Sequence, residues 1–257
     1  MTTAPELPED TPRLRLKIVP LLVTVALATG VPVAGARMAA AVSRLLHLQV
    51  QPGANLPWLY LQHAGQLIVS LVVIAILKYR LVPADYGLHW PRGKTYIRPA
   101  ILWGVFFGVL MTAVDYAPQI VTHAELHSTV AASSARVWGW IVFEGVYVGP
   151  TEEIPFRALL VTYLIATMPG RLRVGRLEMS WAGIIVAVMF ALLHATNFAT
   201  RHWALALGQQ LYAFALGVLY AYWLEKSRSV IAACIGHNVG DVVEYLIAVA
   251  WLGVSQF

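Results

Sequence analysis

The chain has 257 residues, 59% of them apolar and only 12% charged, with a formal net charge of +5. A soluble domain of this length carries about 25% charged residues, so this composition excludes a surface wetted on all sides and points to the bilayer as solvent. The basic residues sit in short gaps between apolar runs and not along one stripe, which reads as membrane topology and excludes a nucleic-acid partner.

Residues 1–17 are polar and end in Arg13, Arg15 and Lys17, and an apolar run follows to Ala36. Ala34-Gly35-Ala36 has the small residues of a signal-peptidase site. The run before it, about 19 residues, is longer than the roughly 7–15 of a signal peptide's apolar core. Residues 1–17 are therefore expected to be a cytoplasmic N-terminal segment and 18–36 an uncleaved first span. A span needs about 20 apolar residues, and further spans are expected at 59–77, 100–120, 137–168, 181–199, 204–224 and 230–252. Pro150 and Pro155 interrupt the long fourth one, which is expected to kink.

Charge orients these spans. With the N-terminus inside, the inner segments hold Arg13, Arg15, Lys17, Lys78, Arg80, Arg92, Lys94, Arg98, Arg171, Arg173, Arg176, Lys226 and Arg228. The outer segments hold only Arg37, Arg44, Arg136 and Arg201. This positive-inside bias predicts an all-α polytopic transmembrane helical bundle of about seven spans, N-terminus inside. It forms one domain over 18–257, with a motif-bearing core at about 137–252. The remaining basic residue, Arg157, falls within the fourth span.

An ionisable residue near the centre of a span costs about 2.5–3.5 kcal/mol on insertion scales and needs a partner or a purpose. Three segments concentrate such residues: Thr151-Glu152-Glu153-Ile154-Pro155-Phe156-Arg157, then Phe190-Ala191-Leu192-Leu193-His194, then His237-Asn238-Val239-Gly240-Asp241. Glu153 and Arg157 are four apart with the acid first, the favoured order for a helical pair. Glu152 points about 100° away around the helix and is left without that partner, as a general base or as part of a structural polar knot. His237 and Asp241 share one helix face, with Glu244 a turn further along. Phe190 and His194 share another. Asp115 and Glu144 are further intramembrane acids, read as polar contacts between helices. Cys234, the single cysteine, has no partner for an internal disulfide.

Two adjacent glutamates with Arg157 four after the second, then Phe190-x-x-x-His194, then His237-x-x-x-Asp241 resemble the CPBP family. That family embraces type II CAAX prenyl endopeptidases, bacteriocin-processing and Abi-type proteins, and many bacterial intramembrane proteases. The Gln209-Gln210, Phe214 and Gly217 context is also similar, whereas the first half matches only in its apolar character and the Tyr86-Gly87-Leu88 turn. The resemblance implies a membrane protease in a bacterial inner (plasma) membrane, with membrane lipid around it and a protein or peptide substrate, prenylated or not. It implies that Glu152 and His194 activate a water, that His237 and Asp241 stabilise the oxyanion, and that Glu153, Arg157, Phe190 and Asn238 support them. Ala158 stands where the family has Gly, and Pro155 where a bulky apolar residue is usual. Asp241 replaces the Asn of the prenyl endopeptidases, which weakens the prenyl-substrate expectation more than the protease one.

Glu152, His194 and His237 would also make a catalytic zinc set, one carboxylate and two imidazoles with a place for water. The residues leave metal-bound and metal-free routes open, although no His-Glu-x-x-His signature is present. In His123-Ala124-Glu125-Leu126-His127 the acid is one position late for that signature, and the segment reads as an outer loop. An inactive scaffold or immunity-type protein of the same fold, and a small transporter or proton relay, are the alternative readings.

Overall fold

The structure, a computed structural model, describes residues 15–48, 50, 55–122, 134–174 and 177–251. The His123–His127 segment, most of the polar N-terminal segment and Arg176 lie outside the described residues.

Among the described residues, six helices are long and apolar enough to cross a membrane. They are α1 (Ile18–Leu45), α2 (Leu56–Ile76, extended by a π turn at Leu77–Leu81), α3 (Ile97–Asp115), α8 (Trp181–Leu193, with a 3-10 extension at His194–Ala199), α9 (Trp203–Ser227) and α10 (Ile231–Trp251). Between α3 and α8 come the short α4 (Ala117–Thr122), α5 (Ser134–Val142), α6 (Val148–Glu153) and α7 (Thr162–Thr167). Leu22, Ile68, Val72, Leu102, Phe106 and Leu211 are half or more exposed on the outside of the bundle. A rim of this kind is stable only against lipid. The protein is an all-α, polytopic integral membrane protein.

Helix starts follow local chemistry. Asn55 Oδ1 accepts the Trp58 amide at 3.0 Å ahead of Pro57, and Ser180 Oγ accepts the Gly183 amide at 3.1 Å, so each occupies an N-cap. The first span runs on to Leu45, beyond the expected end at Ala36, because Arg37 and Arg44 lie on a helix that polar side chains can leave for water.

The fourth expected span is not one helix. It is α5, a π turn at Phe143–Tyr147, α6, a second π segment at Ile154–Val161, and α7. Pro150 and Pro155 have no N–H to give to the carbonyls four residues back, those of Val146 and Thr151. Side-chain amides from other helices supply the missing donors. Asn238 Nδ2 on α10 donates to Val146 O at 3.2 Å, and Gln66 Nε2 on α2 donates to Thr151 O at 2.8 Å. Asn238 Oδ1 also accepts from the Gly149 amide at 2.7 Å. An unpaired carbonyl in lipid costs several kcal/mol, so such a segment survives only where protein surrounds it.

Close helix contacts run through glycine. A Cβ on Gly104 or Gly108 of α3 would stand 2.8 or 2.6 Å from the carbonyl oxygen of Gly236 or Gly240 on α10. Small residues allow this approach in membranes, and His237 lies between those two α10 glycines.

Within the basic gap after the fourth span lies an unexpected hairpin, β1 (Arg171–Val174) against antiparallel β2 (Leu177–Ser180). Arg173 and Arg171 both reach Glu178. Their hydrogen bonds, Arg173 first, hold the Glu178 carboxyl below its ordinary range.

Candidate active site

α2, α6, α8 and α10 converge on a cavity of about 380 Å³. Glu152, His194, His237, Asp241 and Phe190 all line it, together with His63, Glu144 and Glu244. The four sequence-selected reactive residues therefore share one wall-to-wall space. Glu153 and Arg157 do not line it. They lie behind it, and neither side chain has any exposed surface.

Glu153 occupies the junction. Its Oε2 is 3.0 Å from Arg157 Nε, an ion pair by distance but not an aligned hydrogen bond. Its Oε1 is 2.7 Å from His237 Nδ1. The Arg157 guanidinium lies over the Phe190 ring at 4.3 Å, and its Nη1 and Nη2 have no hydrogen-bond partner among the described residues. The aromatic face adds to the Glu153 carboxylate in stabilising that buried cation. Phe190 thus holds Arg157 on one side and stands edge-on to His194 on the other, with centroids 5.3 Å apart.

His237 stacks on Tyr220, with centroids 6.0 Å apart and planes 25° apart. Its Nε2 is 3.1 Å from Asp241 Oδ2 and 3.8 Å from Glu152 Oε2. A carboxylate oxygen therefore faces each ring nitrogen, and a ring so placed is a proton donor at both. His194 differs. Its Nδ1 donates to the Phe190 carbonyl at 3.0 Å, since a carbonyl can only accept. That leaves the Nε2 lone pair available, and no carboxylate oxygen approaches His194 within ion-pair distance among the described residues.

Two contributors come from α2 and were not singled out in the sequence. His63 Nε2 is 4.0 Å from Glu152 Oε1, and its Nδ1 is 2.8 Å from Thr151 Oγ1. Gln66, three residues on, holds the Thr151 carbonyl. The only sequence signal was a His and a Gln at helical spacing in an otherwise apolar span.

The far side of the cavity is acidic too. Asp115 meets Arg201 Nη1 at 3.0 Å and the Tyr212 hydroxyl at 2.8 Å, so it has partners where the sequence assigned none.

Among the described residues, no three His, Cys, Asp or Glu side chains form a set that could hold a metal ion. His237 is committed at both nitrogens, so Glu152, His194 and His237 do not fit as a ligand set in this arrangement.

No curated protein and no solved structure matches the chain. Residues 134–243, somewhat under half of it, match the family model described as "Type II CAAX prenyl endopeptidase Rce1-like". The match contains all three motif segments and excludes α2. The stretch that carries Glu152, His194, His237 and Asp241 is therefore similar to the Rce1-like family of type II CAAX prenyl endopeptidases.

Proposed function

We propose that the protein is an intramembrane endopeptidase that hydrolyses a peptide bond of a membrane-associated protein or peptide. The observation that carries this reading is the Glu152 carboxylate. It is partly exposed to the cavity and stands 3.8 Å from the proton-bearing Nε2 of His237. Glu152 is the general base that takes a proton from water as the water oxygen adds to the scissile carbonyl. His194, with its Nε2 lone pair uncommitted, lines the same cavity and takes part in positioning the reactants. The negative charge that grows on the carbonyl oxygen is met by Nε2–H of His237, which shifts its hydrogen bond from Asp241 to that oxygen while Glu153 holds Nδ1. The proton then passes from Glu152 to the leaving amine. Glu153, Arg157, Phe190 and Asn238 hold the frame.

The family's name points to a prenylated C-terminal substrate. Cleavage of a farnesylated peptide beside its unmodified twin, by purified protein in detergent, tests both the activity and the lipid requirement. Turnover lost in Glu152→Gln supports the reading. A wild-type protein that cleaves neither peptide, nor any leader-type peptide offered, ends it.

A further inference from the structure

Resting on that protease reading, the geometry around α2 adds a residue to the reaction. The Thr151 hydroxyl has one proton. It faces the Tyr147 and Val148 carbonyls at 3.0 and 2.9 Å, which can only accept, so the proton is used there. Toward His63, Thr151 Oγ1 can therefore only accept, and His63 Nδ1 carries the hydrogen of their 2.8 Å contact. The neutral ring then has its lone pair on Nε2. That atom faces Glu152 Oε1 across 4.0 Å on the wall of the cavity. Phe143, edge-on to the His63 ring with centroids 5.1 Å apart, keeps the ring from turning away.

Two acceptors at this separation do not bind each other, but they suit one water. A water about 2.8 Å from each atom would see them at an angle of about 90°, near the angle between its own two O–H bonds. Its oxygen lone pairs would then point away from both, into the cavity where a substrate carbonyl must lie. We propose that His63 and Glu152 together hold the attacking water, with His63 as its second acceptor. Glu152 lies in the family-matched stretch, whereas His63 comes from α2, outside it.

The step balances as follows. The water oxygen forms a bond to the carbonyl carbon, and the carbonyl π pair moves to oxygen. One water proton passes to Glu152. The other stays on the new hydroxyl, hydrogen-bonded to His63 Nε2. The oxyanion pair then returns to re-form C=O as the C–N bond breaks; the C–N electron pair goes to nitrogen, which takes the proton from Glu152 and leaves as the amine, and the new hydroxyl stays on the carboxylic acid product.

Four variants test this in detergent on a peptide the wild type cleaves: His63→Phe, His63→Asn, His63→Gln and, as control, Glu152→Gln. Gln places an oxygen where Nε2 was, whereas Asn reaches only the Nδ1 position, so this pair is informative even if the Phe variant does not fold. His63→Asn and His63→Phe are expected to lower kcat about 100-fold with KM within about twofold, and His63→Gln to recover about tenfold of that loss. Wild-type turnover in His63→Asn overturns the proposal. So do equal losses in Asn and Gln, which would mean that ring packing and not the lone pair matters, or a loss confined to KM. Full activity in Glu152→Gln instead overturns the underlying protease assignment.

Discussion

Arg157 Nε stands 3.0 Å from Glu153 Oε2 at a depth where neither side chain meets solvent, while the neighbouring Glu152 opens onto the cavity. Two adjacent glutamates thus have separable tasks. Arg157→Ala should destabilise the protein by about 3 kcal/mol, the cost of leaving a buried carboxylate with only its His237 contact. Glu152→Gln should leave thermal stability in detergent near the wild-type value and lower kcat by about 100-fold or more. Melting curves and peptide turnover on the same preparations check both.

The proline carbonyls predict a compensating pair. Gln66→Leu leaves the Thr151 carbonyl without its side-chain donor and should cost about 1–3 kcal/mol. Pro155→Ala restores a backbone N–H in the same helix. The double variant Gln66→Leu with Pro155→Ala should therefore lose less stability than the sum of the single changes, a coupling of about 1 kcal/mol in a double-mutant cycle. Strict additivity would show that the amide of Gln66 does not substitute for the missing backbone donor.

Charge orientation can be read directly. Reporter fusions after Gly93 and Leu177 should score as cytoplasmic, and a fusion at Phe257 as external, if the basic gaps face inward. A cytoplasmic C-terminus would mean that the broken α5–α7 stretch does not complete a crossing.

The hairpin carries a pH signature. Hydrogen bonds from Arg173 and Arg171 depress the Glu178 carboxyl below its ordinary range. A group depressed in the folded state contributes stability above its unfolded value and loses that contribution as pH falls through its folded value. Exchange protection of the amides in β1 and β2, corrected for intrinsic rate, should therefore fall in acid for the wild type. In Glu178→Gln protection should be lower at neutral pH and flat across that acid range.

Much of the site was legible because its chemistry follows helical spacing. Glu153 with Arg157, and His237 with Asp241, are i,i+4 pairs, and both meet as that spacing requires. The membrane architecture followed from the length of apolar runs. The local break-up of the fourth span was only half legible: the two prolines announced a disturbance, but the π turns depend on Asn238 and Gln66 arriving from distant helices. His63 has Gln66 at helical spacing, which announces no chemistry, and its contact Thr151 is 88 residues away. The hairpin was missed because a basic gap between spans reads as loop, although Arg171 and Arg173 alternate with apolar residues as a strand would.

The glycine contacts between α3 and α10 bear on how the site is kept to measure. Gly236 and Gly240 touch α3 backbone to backbone on either side of His237. The depth of that imidazole is thus fixed by hard contact, with no compressible side chain to take up slack. α3 contributes none of the residues proposed to act on the peptide bond, yet it serves as the ruler against which the 3.8 Å gap between His237 and Glu152 is drawn. On its other side α10 is tied to α6 by the Gly149 amide on Asn238 Oδ1 at 2.7 Å, so the helix that carries Glu152 is held to the one that carries His237.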